Sequence, residues 1–75
     1  MVNDFEKRVI EARDNYRREK YMNPKYLIIN ENTFSTIKNK VVRRKMFLIL
    51  DKKIYMELYI AIDNELEDYE FVITG

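Results

Sequence analysis

The side chains best able to do chemistry lie in the acidic run Asp63, Glu65, Glu67, Asp68 and Glu70. Carboxylates so spaced supply oxygen ligands for a hard cation, or an acid and base pair. A calcium loop also needs a central glycine, and the only glycine of the chain is Gly75, so the run reads as a solvated acidic turn. Histidine and cysteine are both absent. Their absence removes the side chain suited to proton transfer near neutral pH and the thiolate nucleophile. Ser35 is the sole serine, so a Ser-His-Asp arrangement cannot form, and a glycine-rich phosphate loop cannot be built. The expectation is a protein that is not an enzyme, with no catalytic residue, no cofactor and no metal site.

The second chemical feature is basic. Lys38, Lys40, Arg43, Arg44 and Lys45 fall within eight residues, where they would complement the dipole of a helix carboxyl terminus or meet the phosphates of a nucleic acid. No aromatic residue is interleaved with them, so a stacking platform for single strands is not supported. The formal net charge of +1 hides two opposed halves, because residues 51–75 hold seven acidic side chains against two basic, and residues 21–50 hold six basic against one acidic. Segregated charge steers association and selects partners, whereas net charge near zero is atypical of a dedicated nucleic-acid binder. Complementary surfaces meeting within or between subunits are the first reading, and a small nucleic-acid-binding regulator using residues 38–45 is the alternative.

Chemistry of this kind needs a frame. At 75 residues the chain makes one domain, with a first part over 1–22 and a strand-helix-strand-strand-strand unit over 23–75. A domain of this size buries only about 60% of its unfolded surface. Six tyrosines and four phenylalanines nonetheless supply a core, and without cysteine no disulfide can supplement it. No run approaches the length of a membrane span, and Asn3, Asp4 and Glu6 stand where a secretion leader would be basic and apolar. A cytoplasmic location without membrane contact is expected.

Val2, Phe5, Val9, Ala12 and Tyr16 share one stripe of a helix from Asp4 to Lys20, capped by Asn3 with Glu6 and supported by an Asp14–Arg18 pair. Its stripe would pack on its own sheet or form a seam with a second copy, which makes Phe5, Val9 and Tyr16 candidate self-association residues. Lys25 to Asn30 reads as a strand covered on both faces. Asn30 or Asn32 then caps a second helix whose Phe34, Ile37 and Val41 share a face, running to about Val42. Met46 to Leu50 is a further apolar strand, joined through Asp51, Lys52 and Lys53 to the clearest alternation of the chain, Ile54, Met56, Leu58, Ile60 and Ile62. On that strand Tyr55 and Tyr59 fall on the opposite face, either covered by a helix or exposed as contact residues. Tyr69, Phe71 and Ile73 mark a last strand. The architecture expected is α+β, two helices with a small mixed sheet of three to four strands in the order α-β-α-β-β-β. Its core would centre on Leu27, Ile29, Phe34, Ile37, Leu48, Ile54, Leu58, Ile60 and Phe71.

Two segments carry a resemblance. Asn23, Pro24, Tyr26, Leu27, Ile28, Ile29, Asn30, Thr33 and Phe34 resemble the strand-to-helix passage of the major capsid protein fold of tailed bacteriophages. Leu58, Tyr59, Ile60, Ala61, Ile62, Asp63, Asn64, Glu65 and Leu66, followed by Tyr69 to Ile73, are similar to the later strand, acidic turn and strand of the same domain. The resemblance implies a compact mixed domain of phage or prophage origin that self-associates. It carries over no catalytic or binding residue, because the role of that family is assembly. The functional expectation is a structural or protein-interaction module, partnered by copies of itself or by another protein, with nucleic acid as the lesser option.

Overall fold

In the computed structural model, residues 4–46 and 50–75 are described, with side chains described for 4–41 and 53–75. Helix α1 spans Asp4–Lys20, with Asp4 and Glu6 in its first turn and Arg17, Arg18 and Lys20 in its last. Acid at the amino end and base at the carboxyl end both oppose the helix dipole. Phe5 and Val9, one turn apart, are its buried residues. The expected Asn3 cap and the Val2 contact lie outside the described residues. Arg18 donates to Asn15 Oδ1 instead of pairing with Asp14, whose carboxylate lies 3.8 Å from Arg13 Nε. Tyr21 ends the helix at φ 55° and its amide donates to Arg17 O at 2.9 Å, a left-handed cap that glycine usually supplies.

Past Pro24 the chain enters a mixed sheet formed by β1 (Tyr26–Ile29), β2 (Val42–Met46), β3 (Leu50–Tyr55), β4 (Leu58–Ile62) and β5 (Val72–Thr74). Their spatial order is β2-β3-β4-β1-β5. β1 runs parallel to β4 and antiparallel to β5, while β2, β3 and β4 form an antiparallel meander. β1 and β2 therefore point the same way, and α2 (Glu31–Ile37) followed by a 3-10 turn at Lys38–Lys40 is the crossover between them. The α+β class, the two helices and the mixed sheet agree with the reading of the sequence. The strand-helix-strand unit is also present, with β3 and β4 inserted between its two strands.

Several boundaries differ, each for a local reason. The second helix stops at Ile37, not near Val42, because Val41 and Val42 are extended and Val42 pairs with Ile54. β-Branched residues lose side-chain freedom in a helix and pack well in a ladder. Met46 and Leu50 are not ends of one strand but face each other across the β2–β3 ladder, and residues 47–49 between them lie outside the described residues. Asp51, Lys52 and Lys53, expected as a connection, stand inside β3 opposite Lys45, Arg44 and Arg43. A ladder of five residue pairs results, which a turn at 51–53 would have forfeited.

The strand expected over Ile54–Ile62 is folded in two. Met56 and Glu57 both adopt positive φ, 52° and 67°, as a two-residue type I′ hairpin requires. Tyr55 faces Leu58 and Ile54 faces Tyr59 across this turn. A two-residue turn exchanges the faces of the alternation, so Tyr55 and Tyr59 lie on opposite sides of the sheet instead of sharing one. The segment thus contributes two strands and brings the sheet to five.

One face of the sheet carries the core. Leu27, Ile29, Tyr55 and Leu58 meet Phe5 and Val9 of α1 and Thr33 and Ile37 of α2, all buried. Phe34, Ile60 and Phe71 are partly buried against this cluster, Ile54 lies on the other face, and Leu48 is outside the described residues. Phe5 anchors an aromatic group, with ring centroids 6.4 Å from Tyr55, 6.1 Å from Tyr69 and 5.6 Å from Phe71, the tilted and edge-on contacts that ring quadrupoles favour. Both helices therefore occupy one side. β1 is covered on one face only, contrary to expectation: its residues read exposed, buried, half-buried, buried in order.

Candidate interaction surfaces

The acidic connection between β4 and β5 is fixed by one residue at the end of β1. Asn30 caps α2 by accepting from the Thr33 amide at 2.7 Å, and its own amide donates to Leu66 O at 3.1 Å and Asp68 Oδ1 at 2.8 Å. It is 8% exposed, so nearly all of its hydrogen-bonding capacity is spent inside the protein. Around it, Asn32 donates to Asp68 Oδ2 at 3.2 Å, the Glu31 amide donates to Asn64 Oδ1 at 2.9 Å, and the Tyr69 amide donates to the buried Thr33 hydroxyl at 2.8 Å. Asp63 accepts from the Glu65 amide and Glu70 from the Glu67 amide, at 2.9 and 2.7 Å. Three of the five carboxylates therefore shape the connection itself. Among the described residues no three carboxylates converge as cation ligands do, and no lysine or arginine forms an ion pair with this segment.

The basic residues do not share a helix end. Lys38 and Lys40 are exposed in the 3-10 turn, where Lys40 Nζ meets Glu6 Oε2 of α1 at 2.8 Å. Arg43, Arg44 and Lys45 lie on β2, an edge of the sheet, with Arg43 opposite Lys53 and Arg44 opposite Lys52. Like charges directly opposite destabilise an antiparallel pair. Lys53 Nζ in turn lies 4.8 Å from the centre of the Phe34 ring, a cation–π contact that holds it toward α2. Arg43, Arg44 and Lys45 thus stand on the edge strand β2, while the acidic connection runs from the central strand β4 to β5.

A third surface is the sheet face away from the helices. The registers place Tyr26, Ile28, Ile54, Tyr59, Ala61 and Val72 on it, and no described helix covers it. Tyr26 is 37% and Val72 45% exposed, and the Tyr26 and Tyr59 rings stand 6.0 Å apart. At the lower end of this face a groove of about 450 Å³ opens between Lys25 and Lys40, bounded by Pro24, Ile54, Met56 and Tyr59. Contiguous exposed apolar surface rimmed by charge marks contact sites more often than it occurs by chance.

The residues expected for self-association divide on the structure. Phe5, Val9 and Tyr55 are in the core of their own chain, Tyr55 with only 1% exposure, and so belong to no contact surface of this fold. Tyr16 is half-buried, and Tyr59 alone lies on the open face. The Tyr55 hydroxyl is buried without a hydrogen-bond partner; burial, and secondarily the Glu6 carboxylate, raise its pKa above the ordinary 10.0. Sequence reasoning missed the second role of Asn30. Asn at a strand end signalled the cap, but its other partner, Asp68, is 38 positions away. Comparison with protein-family models, with curated proteins and with solved structures finds no match.

Proposed function

We propose that this chain is a non-enzymatic, cytoplasmic protein-interaction module of phage type that self-associates by setting its basic hairpin against the acidic connection of another copy. One observation carries the reading: Arg43, Arg44 and Lys45 stand on the edge strand β2, whereas the acidic connection runs from the central strand β4 to β5, and among the described residues no lysine or arginine forms an ion pair with it. Two to four strand spacings amount to about 10–19 Å, beyond the Debye length of about 8 Å at physiological salt. The register sets Arg43 opposite Lys53 and Arg44 opposite Lys52, with Asp51 opposite Lys45 as the one acid of the ladder, so the hairpin keeps an excess of positive charge that favours an acidic partner. The phage character rests on the capsid-fold resemblance of residues 23–34 and 58–73. Sedimentation equilibrium across a salt series tests the reading. Association at low salt that weakens as salt rises is expected, and a monomer at high micromolar concentration and low salt refutes it.

A second reading draws on β2 and β3 alone. A basic two-stranded ribbon is one of the shapes that enters a DNA major groove, which would make the chain a nucleic-acid-binding regulator. The acidic connection and the near-neutral total weigh against it. Absence of a gel shift on duplex DNA at low salt disposes of it.

A further inference from the structure

We infer that the cavity between α2 and the acidic connection is a binding site for a guanidinium group, the head of an arginine side chain presented by a protein. Asn32, Thr33, Ser35, Thr36, Asp68 and Tyr69 line a hollow of about 310 Å³, at the small end of ligand sites. Asp68 is the one charged residue among them. Its carboxylate is fixed before any ligand arrives, because the amide of the buried Asn30 donates to Oδ1 at 2.8 Å and that of Asn32 to Oδ2 at 3.2 Å. A carboxylate has about four lone-pair sites, so capacity for further donors is left.

The rest of the lining asks for the same ligand. Asn32 Oδ1 and the Ser35 hydroxyl accept no hydrogen bond from any described residue, so the open polar atoms are acceptors or hydroxyls. No lysine or arginine lines the hollow. Arg8 is spent elsewhere, donating to Tyr69 O at 3.3 Å and lying 5.3 Å from the centre of the Phe71 ring. Acceptors around a lone carboxylate select a cation rich in donors. Among the described residues no three carboxylates converge as a metal ion requires, which makes that cation organic.

Tyr69 chooses between the two cationic side chains. It is 46% exposed, and its backbone is held at φ 64° by the bond from its amide to the Thr33 hydroxyl. A bulky residue is strained at positive φ, and such strain collects at ligand sites. A guanidinium stacks its plane on an aromatic ring and spreads five donors in a fixed fork, whereas an ammonium is a compact, strongly hydrated point charge. The hollow offers an aromatic wall and several separate acceptors, so it suits arginine over lysine.

The site does not depend on the self-association proposed above, since the arginine can come from a second copy or from another protein. N-acetyl-arginine amide, titrated into the isotope-labelled full chain and followed by amide NMR, is the probe. Shifts at Ser35, Asp68 and Tyr69 at millimolar concentration are expected, with none from glucose and weaker ones from N-acetyl-lysine amide. Asp68→Asn keeps an oxygen to accept from Asn30 but loses the charge, and should weaken binding about tenfold. Ser35→Lys, at an exposed helical position, should block the hollow with its own ammonium while leaving the thermal midpoint unchanged. Equal shifts from the lysine compound or from glucose, no shift from the arginine compound at high millimolar concentration, or full binding by both variants overturns the site. Sedimentation with the arginine compound present then separates the sources. An oligomer that dissolves assigns the arginine to a second copy, and one that persists assigns it to another protein. A wild type that binds the compound but is monomeric at every concentration refutes self-association and leaves the site standing.

Discussion

Asn30 ties three parts of the fold together, so its replacement should do more than remove a helix cap. Asn30→Ala deletes the bond from the Thr33 amide, worth about 1 kcal/mol as an N-cap. It also deletes the bond to Leu66 O, about 1 kcal/mol net, and the charge-assisted bond to Asp68, taken at the low end near 1.5 kcal/mol because that carboxylate is exposed. The sum is about 3.5 kcal/mol, against a total stability of roughly 4–11 kcal/mol for a chain of this length. At 4–8 °C per kcal/mol for a domain of this size, the thermal midpoint should fall by roughly 14–28 °C. Asn30→Asp is the informative control. Aspartate caps as well as asparagine, but it cannot donate to Leu66 or Asp68 and it sets a second negative charge beside the first. Urea and thermal unfolding should therefore rank Asn30→Asp with Asn30→Ala. If Asn30→Asp instead unfolds within about 0.5 kcal/mol of the wild type, the residue is only a cap and the account of the acidic connection fails.

Tyr55→Phe removes a buried hydroxyl that has no partner and should leave neutral-pH stability unchanged or raised by about 1 kcal/mol; a loss of that size would mean the hydroxyl is bonded. Because the folded-state pKa of Tyr55 is raised, the folded protein keeps a proton that the unfolded chain releases. Stability from this group is complete below the ordinary value and is lost as pH climbs past it, so alkaline melts of wild type should decline above pH 10.0 more steeply than those of Tyr55→Phe. Glu57→Gly relieves a non-glycine residue at φ 67° at the expense of an exposed 3.7 Å ion pair with Arg17, which is worth little. A gain of about 1 kcal/mol in urea is expected, and a loss would refute the strain argument. Arg44→Glu places opposite charges across β2 and β3, so it should stabilise the monomer by a few tenths of a kcal/mol while abolishing association; a variant that loses both points to a merely structural role.

The elements that were legible in the chain are those whose signals are short-range. The three-four spacing of Phe5 and Val9 and the acid-first, base-last charge order fix α1 from Asp4 to Lys20. Asn30 or Asn32 announces the start of α2, a choice that the bond from the Thr33 amide decides for Asn30, and the Tyr26–Ile29 run announces β1. Alternation from Ile54 to Ile62 correctly marks extended chain. It says nothing about where that chain turns, because a two-residue hairpin preserves alternation on each side and Met56 and Glu57 carry no turn signal. Pairing partners decide that, through Tyr55 with Leu58 and Ile54 with Tyr59.

The sequence by itself determined that charge is divided between two segments and that histidine and cysteine chemistry is absent. Only tertiary structure decided that Arg43, Arg44 and Lys45 sit on an edge strand while the acidic segment is anchored at Asn30, that Tyr55 is inside and Tyr59 outside, and that no described helix covers one sheet face. The physical reason is range. Propensity and capping act over a few residues, whereas strand order is chosen by which apolar rows can be buried together, a choice shared by Phe5, Leu27, Tyr55 and Leu58 across 54 positions of chain.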